Sequence, residues 1–363
     1  MMHLDEFKSN ISTEFAWKLW RSINSPLKYD SMKPWLNSSV FFLLSITGCN
    51  GQADFGDKYM KLERTISMPG VKGRIDHLDV DLADKVVYVA ALGNNTVEVV
   101  DLTTGKVTHS ITGLDEPQGV GYIPQSKEIF VANGGNGNCY FYNSSTFQKT
   151  GEVKLESDAD DVRVDSANQK IYVGYGEGGI AVIDARTHQM VNDIKLPAHP
   201  EGFQIARKEG LLLVNVPDKK MIAVIDLADS KLVKSWSRQS PTANFPMSID
   251  SIGSRAYIGY RNPATMIAFD IITGAEISTT SIVGDTDDLY FDARTKRVYV
   301  SGGDGSVSIF QQKTGKSLSQ IGKISTRKGA RTSLLIPGLN IYVVAERAGS
   351  GESARLNVYT LSE

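Results

Sequence analysis

The sequence predicts an all-β chain: a seven-bladed β-propeller of four-stranded blades, its ring closed by an N-terminal strand. Three observations carry this. A short β-rich word recurs seven times: Tyr88-Val89-Ala90, Phe130-Val131-Ala132, Tyr172-Val173-Gly174, Leu213-Val214-Asn215, Tyr257-Ile258-Gly259, Tyr299-Val300-Ser301 and Tyr342-Val343-Val344. Successive starts differ by 42, 42, 41, 44, 42 and 43 residues, the period of a propeller blade. After Tyr359 only Thr360 to Glu363 remain, so the last repeat lacks its outer strand.

Within each repeat the elements follow in order. The word is a strand, because aromatic and β-branched residues suit a half-buried pleated surface. A turn and a second apolar strand follow, as in Val97-Glu98-Val99-Val100-Asp101 or Ile180-Ala181-Val182-Ile183-Asp184. The closing Asp, and the Thr-Gly that follows in Thr104-Gly105, Thr273-Gly274 and Thr314-Gly315, suit a tight turn. A polar outer strand such as Lys106 to Ile111 or Lys231 to Trp236 then faces solvent. The segment Tyr59 to Met68 precedes the first inner strand and has the character of an outer one. Pairing it with the seventh repeat removes the open edges.

Composition agrees and excludes some functions. The chain has 363 residues, 41% of them hydrophobic, and a formal net charge of −2. That is enough apolar material for a sizeable core. It lacks the basic balance of a nucleic-acid sleeve, so no nucleic-acid partner is expected. The two cysteines, Cys49 and Cys139, form neither a disulfide framework nor a zinc spacing. Cys139 falls on a strand and reads as a buried small hydrophobe.

The first 57 residues stand apart from the repeats. Val40 to Thr47 read VFFLLSIT, too short for a bilayer span of about 20 residues and suited to the apolar region of a signal peptide. The run ends Ile46-Thr47-Gly48-Cys49, which resembles the bacterial lipobox. That resemblance implies lipidation of Cys49, cleavage before it and, with Asn50 next, release to the outer membrane. The 39 residues before the apolar run are too many for a signal peptide, whereas a start at Met32 leaves a short leader with Lys33. The expected organisation is an extension and leader over 1–48, a linker over 49–57 and the propeller over 58–363. A non-cleaved extension with an ordinary Cys49 is the alternative.

The tandem word followed by a strand ending Val-Ile-Asp-Leu resembles the YVTN or YncE-like β-propeller family over about Gly70 to Leu361. The resemblance implies the fold and no single chemistry, so function has to come from side chains. In such propellers ligands favour the face where each innermost strand begins. Counting back 11 residues from each word gives His77, Gly119, Asp161, Gly202, Pro246, Asp288 and Arg331. One residue earlier stand Asp76, Gln118, Asp160, Glu201, Phe245, Asp287 and Ala330. Six of these fourteen are carboxylates. Two carboxylates 7 Å apart repel by about 2 kcal/mol at an effective dielectric of 20. A group of them attracts a cation, pairs with Arg331 or raises a pKa. Hard oxygen ligands suit Ca²⁺ or Mg²⁺, with Asp161, Glu201 and Asp288 as the candidate ligands. The competing reading is that each Asp caps a turn through backbone N–H groups.

Asn133 and Asn215, disfavoured in strands, either point at the channel or bond locally to backbone. His199 sits in the loop before Glu201, and His109 and His188 read as solvated. Gly134-Gly135-Asn136-Gly137 and Gly302-Gly303-Asp304-Gly305 join strand to strand and open no helix, so they are turns rather than phosphate cradles. No GxSxG elbow or Ser-His-Asp arrangement is present.

These residues support an exported, monomeric lipoprotein, held to the membrane by its lipid on the periplasmic side of the outer membrane. It binds a small ligand or a protein partner at its funnel through Asp76, His77, Gln118, Asn133, Glu201, Asn215 and Arg331, with Arg331 anchoring an anionic group. The alternative is a divalent-metal-dependent hydrolase or lyase, similar to lactonase-type propellers, with His77 as general base.

Overall fold

The computed structural model describes residues 55–313, 317–349 and 351–363. Cys49, the apolar run before it and Met32 lie outside the described residues, as does the Thr314-Gly315 turn. The described chain forms seven four-stranded antiparallel sheets in sequence order. Blade 1 comprises Leu78–Asp81, Val86–Ala91, Thr96–Asp101 and Lys106–Ile111. Blades 2 to 6 span 117–154, 162–195, 203–237, 242–281 and 286–325. Three short 3₁₀ turns are the only helical elements among the described residues.

Blade 7 contains Ser333–Ile336, Ile341–Glu346 and Ala354–Leu361, and its outer strand is Met60–Met68. The pairing runs from Met60 opposite Leu361 to Met68 opposite Ala354, with a bulge between Leu62 and Arg64. Met60, Ile66 and Met68 are buried in the cores shared with neighbouring blades. The ring therefore closes by joining the start of the repeat region to the end of the chain.

The recurring word lies on the second strand of every blade, whose residues are almost all buried. Its aromatic residue reaches across to the next blade in several cases. Tyr88 stacks on Tyr122 at 5.8 Å, Tyr257 on Phe291 at 5.3 Å, and Tyr299 lies 5.3 Å from Tyr342. Such pairs contribute about 0.5–1.5 kcal/mol each beyond their buried area. Outer strands are largely exposed, as in Lys106–Ile111. Cys139 is fully buried among apolar neighbours, and burial raises its thiol pKa.

Of the two histidines expected at the surface, His109 is exposed and His188 is packed instead. His188 stacks on Phe141 at 3.8 Å, with Nε2 3.1 Å from Glu128. A Cβ on Gly151 would come within 2.1 Å of its Nδ1, so that glycine admits the ring. His109 stacks on Phe147 at 4.0 Å. In each case a turn between the outer two strands of one blade rests on the blade before it.

Candidate functional site

Each innermost strand begins at one mouth of the channel, and the residues just before it are held by continued hairpin pairing. Asp76 N–H donates to Ala90 O at 2.8 Å, and Ala90 N–H donates to His77 O at 3.0 Å. The same pair of bonds joins Asp160-Asp161 to Gly174 and Glu201-Gly202 to Asn215. Asp288 pairs with Ser301. Equivalent backbones project Asp76, Asp160 and Glu201 in equivalent directions. Gly119 holds a rim position for a steric reason: a Cβ there would lie 2.0 Å from Asp160 O, so its absence lets blade 3 close on blade 2.

The register differs in blade 7. In the other six blades the first residue of the word pairs with the residue nine positions earlier, as Tyr88 does with Asp79 and Tyr299 with Tyr290. Tyr342 pairs with Leu335, seven positions earlier. The turn between the two inner strands is two residues shorter there, and the count of 11 misplaces Arg331. Ser333, not Arg331, occupies the position of His77, and its N–H donates to Asp288 Oδ2 at 2.6 Å. Arg331 still reaches the funnel, from two residues farther up the chain.

The rim encloses a cavity of about 300 Å³. Asp76, His77, Gln118, Asp161, Glu201, Asp288 and Arg331 all line it, together with Asp160 and Asp287. Asn133 and Asn215 do not. Asn133 is fully buried, accepts from Asp115 N–H at 3.0 Å and donates to Asn138 O at 2.7 Å. Asn215 donates to Phe245 O at 2.8 Å and accepts from Asn244 at 3.0 Å, bracing blade 4 against blade 5. Both follow the local-bonding reading.

Sequence reasoning missed most of the basic residues. Arg74, Arg163 and Arg261 also line the cavity, so four guanidinium groups face seven carboxylates: Asp76, Asp158, Asp160, Asp161, Glu201, Asp287 and Asp288. Arg163 was findable, because two residues after Asp161 on a strand is the same face. Arg261 comes from the far end of a second strand and carried no such signal.

The pairing is uneven round the ring. Arg74 bonds Asp76 at 3.1 Å. Arg163 bonds Asp161, which also accepts from Phe203 N–H at 3.3 Å. Arg261 bonds Asp287 and stacks 3.5 Å above the Phe245 ring. Arg331 bonds Asp287 at 2.9 Å and Asp285 at 3.0 Å. His77 Nε2 stands 3.6 Å from Asp160 and 3.9 Å from Asp161, distances of an ion pair beyond hydrogen-bond reach. Asp160 Oδ1 is shielded from solvent and has no hydrogen-bond partner.

Titration follows that unevenness. Burial, then the charges of Asp160 and Asp287, push Glu201 up to about 9. Burial pushes Asp76 up to about 7 against the pull of His77, with Asp160 and Asp287 adding to it. Burial likewise takes Asp288 to about 7, opposed by His77. For Asp160 burial is outweighed by His77, and its carboxyl lies below the usual range. For His77 burial works downward, but Asp160, Asp161 and Asp76 raise it well above 6.5. These carboxylates favour the protonated ring, the opposite of what the general-base role expected from the sequence requires.

The metal expectation also meets this network. Among the described residues no three His, Cys, Asp or Glu side chains group so as to hold a metal ion. Asp161 is engaged by Arg163, and Asp288 by the Ser333 N–H. Charge-assisted bonds of this kind compete with a cation for the same oxygens.

The turn-capping role considered for the rim carboxylates belongs to other aspartates. Asp81 accepts from Ala83 and Asp84 N–H at 2.9 and 3.2 Å, and Asp250 from Gly253 N–H at 2.9 Å, at the opposite ends of innermost strands. Asp101 and Asp184, the closing residues of the third strands, cap turns in the same way.

Comparison with known proteins identifies the fold. No protein-family profile and no curated protein matches the chain. Among solved structures 1800 chains match. One, from a structure entitled "Crystal Structure of Mitotic Checkpoint Complex", is 16% identical with a TM-score of 0.71, covering 94% of this chain and all of the other. The chain is a seven-bladed β-propeller, and at that identity the likeness extends to the fold alone.

Proposed function

We propose that the protein is a binding propeller of the YVTN/YncE-like kind, exported and lipid-anchored at Cys49 on the periplasmic side of the outer membrane. It takes a small polar ligand in its funnel. The observation that carries the ligand reading is the cavity itself. At about 300 Å³ it reaches the lower range of small-molecule sites. It gathers four guanidinium groups and seven carboxyl groups at one mouth, while the opposite ends of the innermost strands use their aspartates to cap turns. Buried polar atoms without a hydrogen bond, such as Asp160 Oδ1, are costly in the free protein and are satisfied by a ligand's donors. The export reading rests on Ile46-Thr47-Gly48-Cys49 and the apolar run before it.

Native mass spectrometry of the protein after exposure to a low-molecular-mass cell extract tests the ligand reading. A retained small molecule, lost in the Glu201→Gln/Arg331→Gln variant, is the expected result. No retained mass, or equal retention by the variant, would falsify it. Membrane-extracted protein with an unmodified N-terminus upstream of Met32 would remove the lipid anchor.

A further inference from the structure

Two side chains of opposite sign, Glu201 at the cavity and Arg347 at a smaller hollow beside it, have no ion pair among the described residues, and this bears on the class of ligand. On the side of blades 3 and 4, the Glu201 carboxyl has no hydrogen-bond or ion-pair partner among the described residues. Its neighbour Asp160 has one oxygen shielded from solvent that faces His77 Nε2 at 3.6 Å and has no hydrogen bond among the described residues. Burial keeps the Glu201 carboxyl protonated in the free protein, and an ammonium group beside it favours the ionised form, which accepts from any of its three N–H donors.

On the side where blade 7 meets blade 1 the wall is basic. A notch of about 10 Å³ adjoins the cavity there and shares Arg74 and Arg331 with it. Its third cation is Arg347, which is exposed and has no ion pair among the described residues. Gly329 shapes the notch. Its φ is +82°, and a Cβ on it would lie 2.3 Å from Arg347 Nη2 and 2.6 Å from Cζ. The guanidinium occupies the space that a side chain would fill. Arg331 gives Nε and Nη1 to Asp287 and Asp285, and Arg74 gives Nη2 to Asp76. Each guanidinium has five N–H donors, so donors remain on all three for an anion.

From this arrangement, and resting on the small-ligand reading above, we infer that the ligand is a small zwitterion, an amine-bearing carboxylic acid of amino-acid or dipeptide size. Its carboxylate sits in the Arg74–Arg331–Arg347 notch and its ammonium sits against Glu201 and Asp160. A purely cationic ligand leaves the notch unused, and a purely anionic one leaves the Glu201 carboxyl without a donor. Opposite charges at two walls also fix the ligand's direction in the channel.

Isothermal titration of the full chain with alanyl-alanine, its N-acetyl form and its C-terminal amide tests the assignment. The free dipeptide is expected to bind at least about ten-fold tighter than either blocked form, the loss of one charged hydrogen-bonding contact. Arg347→Gln is expected to erase the preference over the amide alone, and Glu201→Gln the preference over the N-acetyl form alone. Equal binding of the three, tighter binding of a blocked form, or no heat from the free dipeptide up to about 10 mM overturns it. A native ligand of a single charge sign, retained in the mass-spectrometric experiment, overturns the zwitterion while leaving the small-ligand reading intact.

Discussion

The two ends of the innermost strands use the same residue type in opposite ways. At the turn end, Asp292 accepts from Arg294 N–H at 3.0 Å and from the Thr295 hydroxyl at 3.1 Å. Asp165 accepts from Asn168 N–H at 3.0 Å and pairs with Arg207, and these donors outweigh burial and hold its carboxyl below the usual range. At the funnel end, Asp76, Glu201 and Asp288 are driven upward, burial being the first cause in each. The difference lies in the donors supplied. A turn folds its own N–H groups back onto the carboxylate. The channel mouth brings carboxylates from several blades together with too few donors and little water. A carboxylate met by its own turn's donors and one left short of donors are thus separated by one strand length.

That contrast can be broken by experiment, beginning with the ring on which both ends depend. Deleting residues 58–69 removes three buried side chains, Met60, Ile66 and Met68, and should cost about 5 kcal/mol or more. Loss of a cooperative transition in circular dichroism melts is expected, and an unchanged melt contradicts the closure. Next, Asp292→Ala should cost about 2–3 kcal/mol in denaturant unfolding, because it strips several donors of a buried acceptor. Glu201→Gln at the other end should cost nothing at pH 8. If both variants lose the same stability, the two ends do not differ as described.

Asn215→Ala should cost about 1–2 kcal/mol by unbonding Asn244 and the Phe245 carbonyl, with ligand affinity unchanged. A selective loss of affinity at full stability would return Asn215 to the site. A further test is the pH dependence. Glu201, Asp76 and Asp288 have folded pKa values above the unfolded value of about 4. Between the two values the folded state holds more protons than the unfolded, so stability falls as pH rises. The window runs from about pH 4 up to 7 for Asp76 and Asp288 and up to 9 for Glu201. His77 acts in the same sense, its contribution being complete below its usual 6.5 and lost as pH passes its raised value. Melting temperature should decline across this range, and Glu201→Gln should flatten the decline above pH 7. A flat profile in the parent protein removes the argument.

Much of the site was legible because strand periodicity converts sequence spacing into geometry. Seven words at a near-constant spacing placed Asp76, Asp160, Glu201 and Asp287 on one rim, and all four line the cavity. Arg331 was reached by a count that happens to fail in blade 7, since a shorter turn there is hidden within an ordinary repeat length. The asparagines were ambiguous for a different reason. Whether a buried amide faces a channel or a neighbouring backbone depends on which carbonyl lies opposite, and for Asn215 that carbonyl belongs to Phe245, thirty residues on.

By itself the sequence determined the seven four-stranded blades and the closing strand Met60–Met68, because hydrophobic alternation and repeat length are local properties of the chain. Only the tertiary structure decided what the rim carboxylates face. Arg163 answers Asp161, Arg261 and Arg331 share Asp287, and the Glu201 carboxyl has no partner among the described residues. Those pairings join side chains of different strands and blades, and the energy of a charge depends on distance and water rather than on its place in the sequence.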